Sequence, residues 1–378
     1  MMNKSVSIGL VAAGTFAAVA AFSLGDGNAH AQDAAGASGV IKDGKIGFVL
    51  TSRYWAVHQT PEGKVECPNG YNDGPREQFT QLFPNDGTKR TLLETQLMRE
   101  GRQWLPTTAE EPFTFKEAGG KIAHGMDLDG KVKATDFTSP DGAKGIDNQL
   151  FRAIGCISNY RAPEGTIYHF ENEYVGRYVL NRFMIEITGV DSLTNDDSVT
   201  INSYRGIDPI MADATGANFI PGGTQRVDNR WGNFVRATWQ AKIVDGVLIS
   251  APSDVEVPHS ATFDTNGLHR FKGLRFQLKL TPDRAEGVMA GYVDVEAFNH
   301  HLNTSWSTHH QSYGQLSAPS LYRALRRLAD GYPDPVTGEM TAISSAQLVK
   351  FIRTNIEHPP RVTAVDGSAA PGVQTSRE

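Results

Sequence analysis

Between residues 235 and 243, Val235, Ala237, Trp239, Ala241 and Ile243 alternate with Arg236, Thr238, Gln240 and Lys242. A period of two places the first set on one face of a strand and the second on the other, one dry and one wet. Asp245-Gly246 follows, then Val247, Leu248 and Ile249. A DG pair between two such runs suits the left-handed backbone of a two-residue hairpin turn. Leu274, Phe276, Leu278 and Leu280 alternate with Arg275, Gln277 and Lys279 in the same way. Residues 47–57, 178–190, 198–204 and 287–298 have the composition of further strands. Half-buried antiparallel strands must bury their dry faces, and a second sheet is the economical cover. The pattern therefore predicts a mainly β protein, an antiparallel β-sandwich over residues 166–298, jelly-roll-like in topology, with a few peripheral helices.

Helical spacing is confined to short stretches. Leu92, Leu93, Leu97 and Met98 predict a helix within 89–105, and residues 320–329 and 344–356 predict two more. Gly331-Tyr332-Pro333-Asp334-Pro335 breaks the chain between the last two, making a helical hairpin within a His-rich segment at 299–357. Residues 32–165 read as a loop-rich N-terminal part packed on the core. Residues 358–378 are polar and rich in Pro and Gly, the composition of a disordered tail.

The first residues follow a different logic. Lys4 precedes an uncharged run from Ile8 to Leu24, and Ala29-His30-Ala31 supplies a small-residue exit. That is the layout of a cleavable signal peptide over 1–31, with the cut before Gln32. The expected product is exported, periplasmic or secreted. No later stretch is apolar enough to span a bilayer, so no integral membrane segment is expected in the mature chain.

Composition narrows the partners. Thirty-eight glycines and 19 prolines are turn residues in quantity and favour β architecture over a helical bundle. The net charge of −6 is spread along the chain without a basic patch, which argues against nucleic acid. Neither a P-loop nor a GxGxxG in strand–helix context is present, and there is no CxxCH; nucleotide cofactors and covalent haem are not expected. No GxSxG nucleophile elbow appears. Cys67 and Cys156 are the only cysteines. In an oxidising compartment such a pair is expected to bridge, closing a loop worth about 4–5 kcal/mol by loop entropy.

Three groups of residues could carry chemistry. Asp127, Asp129, Asp136, Asp141 and Asp147 lie on a glycine-containing loop that could offer oxygens to calcium. The spacing fails the EF-hand pattern, since Lys131 and Lys133 stand where ligands should be. Solvated Asx turns are the plainer explanation of that loop. His300, His301, His309 and His310 lie close to Asp294 and Glu296. Imidazole and carboxylate are the ligands that zinc, iron or copper accept. If the strand at 287–298 continues, Asp294, Glu296, Phe298 and His300 share one side. Trp231 and Trp306 stand in polar settings where indoles can stack on sugars.

Three functional classes follow. The first is an exported β-rich binding protein, stabilised by a disulfide and by calcium, whose ligand is a small molecule, glycan or protein. The second is a metal-dependent periplasmic enzyme built on the His/carboxylate cluster. The third is a carbohydrate-binding or -cleaving sandwich.

Overall fold

In the computed structural model, the described residues are 39–72, 114–161, 175–230, 235–259, 267–304 and 317–360, with a few isolated positions between them. The signal-peptide segment, the tail beyond residue 360, and Trp231, Trp306, His309 and His310 lie outside the described residues.

Among the described residues fifteen strands run in chain order: β1 (Lys45–Trp55), β2 (Met98–Arg99), β3 (Arg102–Gln103), β4 (Phe137–Thr138), β5 (Lys144–Ile146), β6 (Phe183–Thr188), β7 (Asp196–Arg205), β8 (Gly223–Arg226), β9 (Thr238–Val244), β10 (Val247–Ser250), β11 (Ser253–Pro258), β12 (Leu268–Leu280), β13 (Arg284–Asp294), β14 (Gly331–Pro333) and β15 (Met340–Glu357). Among the described residues three α-helices accompany them: α1 (Gln149–Ile154), α2 (Val295–Thr304) and α3 (Ala318–Leu328).

The mainly β class stands, but the strands do not form a two-sheet jelly roll. One antiparallel sheet runs β1-β6-β7-β9-β10-β12-β13-β15 and returns to β1, a closed barrel of eight strands. Closure solves the burial problem that a second sheet would solve, because dry faces turned inward cover one another. The barrel is not confined to 166–298: it needs β1, far upstream, and β15, far downstream. Residues 344–356, expected as a helix, lie within β15, which pairs with β1 on one side and β13 on the other.

The misreading of β15 has a physical cause. Ala342 to Gln347 are buried without a break, so no wet face is left to show a period of two. Ile343, Val349 and Phe351 belong to the barrel core, while Ala342 and Ala346 pack outside it with Ala56, Leu128, Ala290 and Tyr292. Strands covered on both faces read as continuous apolar runs. Ser344-Ser345 also imitates a helix cap. In fact the Ser344 hydroxyl donates to Asp330 Oδ2 (2.6 Å) and accepts the Gln149 N–H (2.9 Å) that opens α1.

Other expectations hold. The β9–β10 hairpin turns at Asp245 (φ 50°) and Gly246 (φ 77°), the left-handed pair that the DG signal calls for. Residues 318–328 form α3, whose first turn is capped by the Ser317 hydroxyl accepting the Ser320 N–H. Cys67 and Cys156 form the expected disulfide, with Cα atoms 5.7 Å apart. It ties the segment after β1 to the end of α1 within a small cluster of Val65, Phe137, Ile146 and Phe151 outside the barrel. The helix expected over 89–105 falls mostly outside the described residues; β2 and β3 there pair as a two-residue ladder. Among the described residues no helix is long and apolar enough to cross a membrane.

Candidate metal centre

Strand β13 does not continue to residue 298. It stops at Asp294, whose Oδ1 accepts the Ala297 N–H (2.9 Å) and caps α2. The switch from period two to period 3.6 rearranges every expected ligand on this segment. Val295, Phe298, His301 and Leu302 fall on the buried side of α2, whereas His300 is exposed. Glu296 points outward and accepts the Tyr322 hydroxyl (2.5 Å). Asp294 lies 3.8 Å from Lys272 Nζ. The set Asp294, Glu296, His300, His301 is therefore not brought together.

His301 instead meets two histidines that sequence reasoning did not select. His259 follows β11 directly, held by its N–H to Gly267 O (2.8 Å). His269 lies near the start of β12, opposite Val257 of β11. The ring centroids are 4.3 Å apart for His259–His269, and 4.6 Å for both His259–His301 and His269–His301. One ligand nitrogen from each lies within 4.8 Å of the others, a spacing from which small side-chain movements bring all three to metal–nitrogen bonds of about 2.0–2.1 Å. All three side chains are buried, His269 at 3% exposure.

A β-bulge explains how His269 turns inward. Leu274, Phe276, Leu278 and Leu280 are buried, and that parity continued backwards would put His269 in water. The β12–β13 register shifts between Lys272 and Arg275, with Gly273 at φ +59°. The extra residue swaps the faces, so His269 and Phe271 point in with the leucines beyond the bulge.

The surroundings of the histidines are mostly apolar. The Trp55 indole stacks on His269 (5.5 Å, 25°), and Phe298 meets both rings edge-on. Burial drives the His269 pKa far below its ordinary value, and the charges of Arg53 and His301 lower it further. Burial likewise takes His301 down to about 3, assisted by Arg53 and His300. Both rings are therefore neutral at physiological pH, the form that binds metal. Neither ring nitrogen of His269 has a hydrogen-bond partner among the described residues. An unmet buried polar group is destabilising by about 1–3 kcal/mol, and a metal bond would satisfy one of the two nitrogens.

The acidic loop has a different character. Asp127, Asp129 and Asp147 converge to within 4.8 Å, but Lys133 stands among them, with Nζ 2.5 Å from Asp129 and 3.9 Å from Asp147. Asp136 and Asp141 serve turns: Asp136 accepts the Lys133 N–H (2.5 Å), and Asp141 accepts the Ser139 hydroxyl. Asp127 accepts the Gly130 N–H (2.7 Å) in an Asx turn. Asp147 is fully buried and accepts the Leu128 N–H (2.7 Å); burial first, then the neighbouring Asp129, raises its pKa to about 6. The Arg275 guanidinium fastens the loop to the barrel by donating to the carbonyls of Asp127 (2.8 Å) and Leu128 (3.0 Å).

Comparison of the chain with family models, with curated proteins and with solved structures finds no match.

Proposed function

We propose that this is an exported metalloprotein that holds one transition-metal ion on His259, His269 and His301, in the class of metal-dependent enzymes. The observation that carries the reading is the convergence of three buried imidazoles, with both ring nitrogens of His269 unmet among the described residues. An all-imidazole set suits zinc, copper, iron or nickel and disfavours calcium and magnesium, which take oxygen. Three protein ligands leave a coordination position open, the pattern of catalytic rather than structural centres. Such a metal polarises a bound oxygen and lowers the pKa of bound water towards neutrality. Export rests on the leader pattern of residues 1–31 and on the bridged cysteine pair of the mature chain.

Elemental analysis of untagged protein purified from its export compartment tests this. Wild type and His300→Ala should carry about one equivalent of zinc, copper, iron or nickel, as one site implies. His269→Ala and His301→Ala should lose it. Wild type without such a metal, or full occupancy in both variants, would overturn the reading.

A further inference from the structure

The interior next to the histidines contains a second anomaly. Gln347, on β15, sits between Trp55 of β1 and Met289 of β13, and it is fully buried. Its odd position places it with Ile343, Val349 and Phe351, on the strand face that builds the barrel core. Neither the amide nitrogen nor the amide oxygen of Gln347 has a hydrogen-bond partner among the described residues, and the same is true of Trp55 Nε1. An amide so placed weakens a fold that a leucine of similar volume would strengthen, so its presence calls for a ligand.

We propose that the metal centre receives a small oxyanion, a carboxylate in the first instance, seated inside the barrel against the Gln347 amide and the Trp55 indole N–H. This rests on the three-histidine reading of the metal. Geometry joins the groups into one site. The Trp55 ring stacks on His269 and pairs across the ladder with Gln347. Arg53 lies two residues before Trp55 on the same strand, fully buried, and its charge reaches both His269 and His301.

The donor character of these groups selects the ligand. An indole N–H only donates, a guanidinium only donates, and the Gln347 amide offers two N–H donors beside one carbonyl acceptor, so donors outnumber acceptors. A divalent ion on three neutral imidazoles keeps both of its positive charges, and a buried charge requires a counter-charge. An oxygen anion answers both conditions, binding the metal by one oxygen and accepting N–H bonds by the other. A cation or an amine meets repulsion from the metal and from Arg53.

Cobalt(II), which occupies zinc sites and reports its ligands by visible absorption, gives the test. The full-length protein is loaded with cobalt and titrated with acetate, and separately with imidazole as a neutral comparison. Acetate should change the spectrum saturably and bind more tightly than imidazole. Gln347→Leu and Trp55→Phe should each weaken acetate about tenfold while retaining one cobalt. Gln347→Leu should unfold at or above the wild-type midpoint. Should that variant fail to fold, Gln347→Met, close in volume and without N–H donors, takes its place with the same expected loss of acetate affinity. Cobalt bound without a response to acetate, a preference for imidazole, or wild-type acetate affinity in the variants would overturn this inference alone. Failure to bind cobalt at all would overturn the metal centre and the oxyanion together.

Discussion

The barrel interior and the loop outside it each gather three groups that can ligate a cation, yet they solve opposite problems. His259, His269 and His301 come from three separate segments and are buried, and burial keeps His269 and His301 uncharged in the folded form. Asp127, Asp129 and Asp147 come from one loop and its close neighbour, the first two partly in water and the third buried, and have the ammonium of Lys133 among them. Counting ligand atoms would rank the two alike. What separates them is whether the charges and hydrogen bonds are already answered from within the chain. The acidic group carries its own counter-ion and behaves as a fastening of the loop, whereas at the histidine group both ring nitrogens of His269 lack a hydrogen-bond partner among the described residues.

The widest separation of the two regions should come from metal removal. A transition-metal chelator should lower the unfolding midpoint of the purified protein, because an ion at one hundred times its Kd adds about 2.7 kcal/mol to the native state. A chelator selective for calcium should leave the midpoint unchanged. Differential scanning calorimetry reads both, and a midpoint that follows calcium instead would reverse the assignment of the two regions.

The next effect concerns pH at Asp147. Its folded pKa of about 6 lies above the ordinary value of 3.8, so between these values the native state holds a proton that the unfolded chain releases. The stabilising contribution is complete below about pH 4 and is lost as pH rises through about 6. Asp147→Asn lacks this titration. Relative to wild type the variant should therefore gain of the order of 2–3 kcal/mol between pH 4 and pH 7, as measured by urea unfolding. A constant difference across that range would show that Asp147 titrates normally.

The smallest effect is expected from Lys133→Ala. Its head is partly exposed, so solvent screens the pair, and the loss should be about 1 kcal/mol at neutral pH without divalent ions. Because the substitution removes the internal counter-ion, calcium should stabilise the variant more than it does wild type. Equal calcium responses in a thermal shift assay would mean that Lys133 does not hold the place of a cation.

Legibility in the sequence tracked local order. The β9–β10 hairpin was readable because alternation and the DG turn lie within about a dozen residues, and β12 was readable beyond its bulge. The disulfide followed from having only two cysteines. Strand β15 was not readable, since cover on both faces erases the period. Barrel closure was not readable either, because it depends on β1 meeting β15 across nearly the whole chain. At the histidine centre only His301 was picked out, and with the wrong companions. Neighbours in sequence, His300 and Glu296, were grouped with it, but the helix that starts at Val295 turns them away. His269 was concealed by the Gly273 bulge, which inverts the parity read from the leucines that follow.

The position of β15 also orders events in time. It is the last strand of the barrel and the one that joins β13 to β1, so the ring stays open until nearly all of the chain has emerged. Until then the outer edge of β1 has no partner from β15, and the pairing that completes it is among the most distant the chain makes. Long-range pairing of this kind is slow. A polypeptide threaded through a membrane N-terminus first would thus remain unable to close while in transit. Gln347 arrives with that final strand, so the oxyanion pocket is assembled only when the barrel shuts.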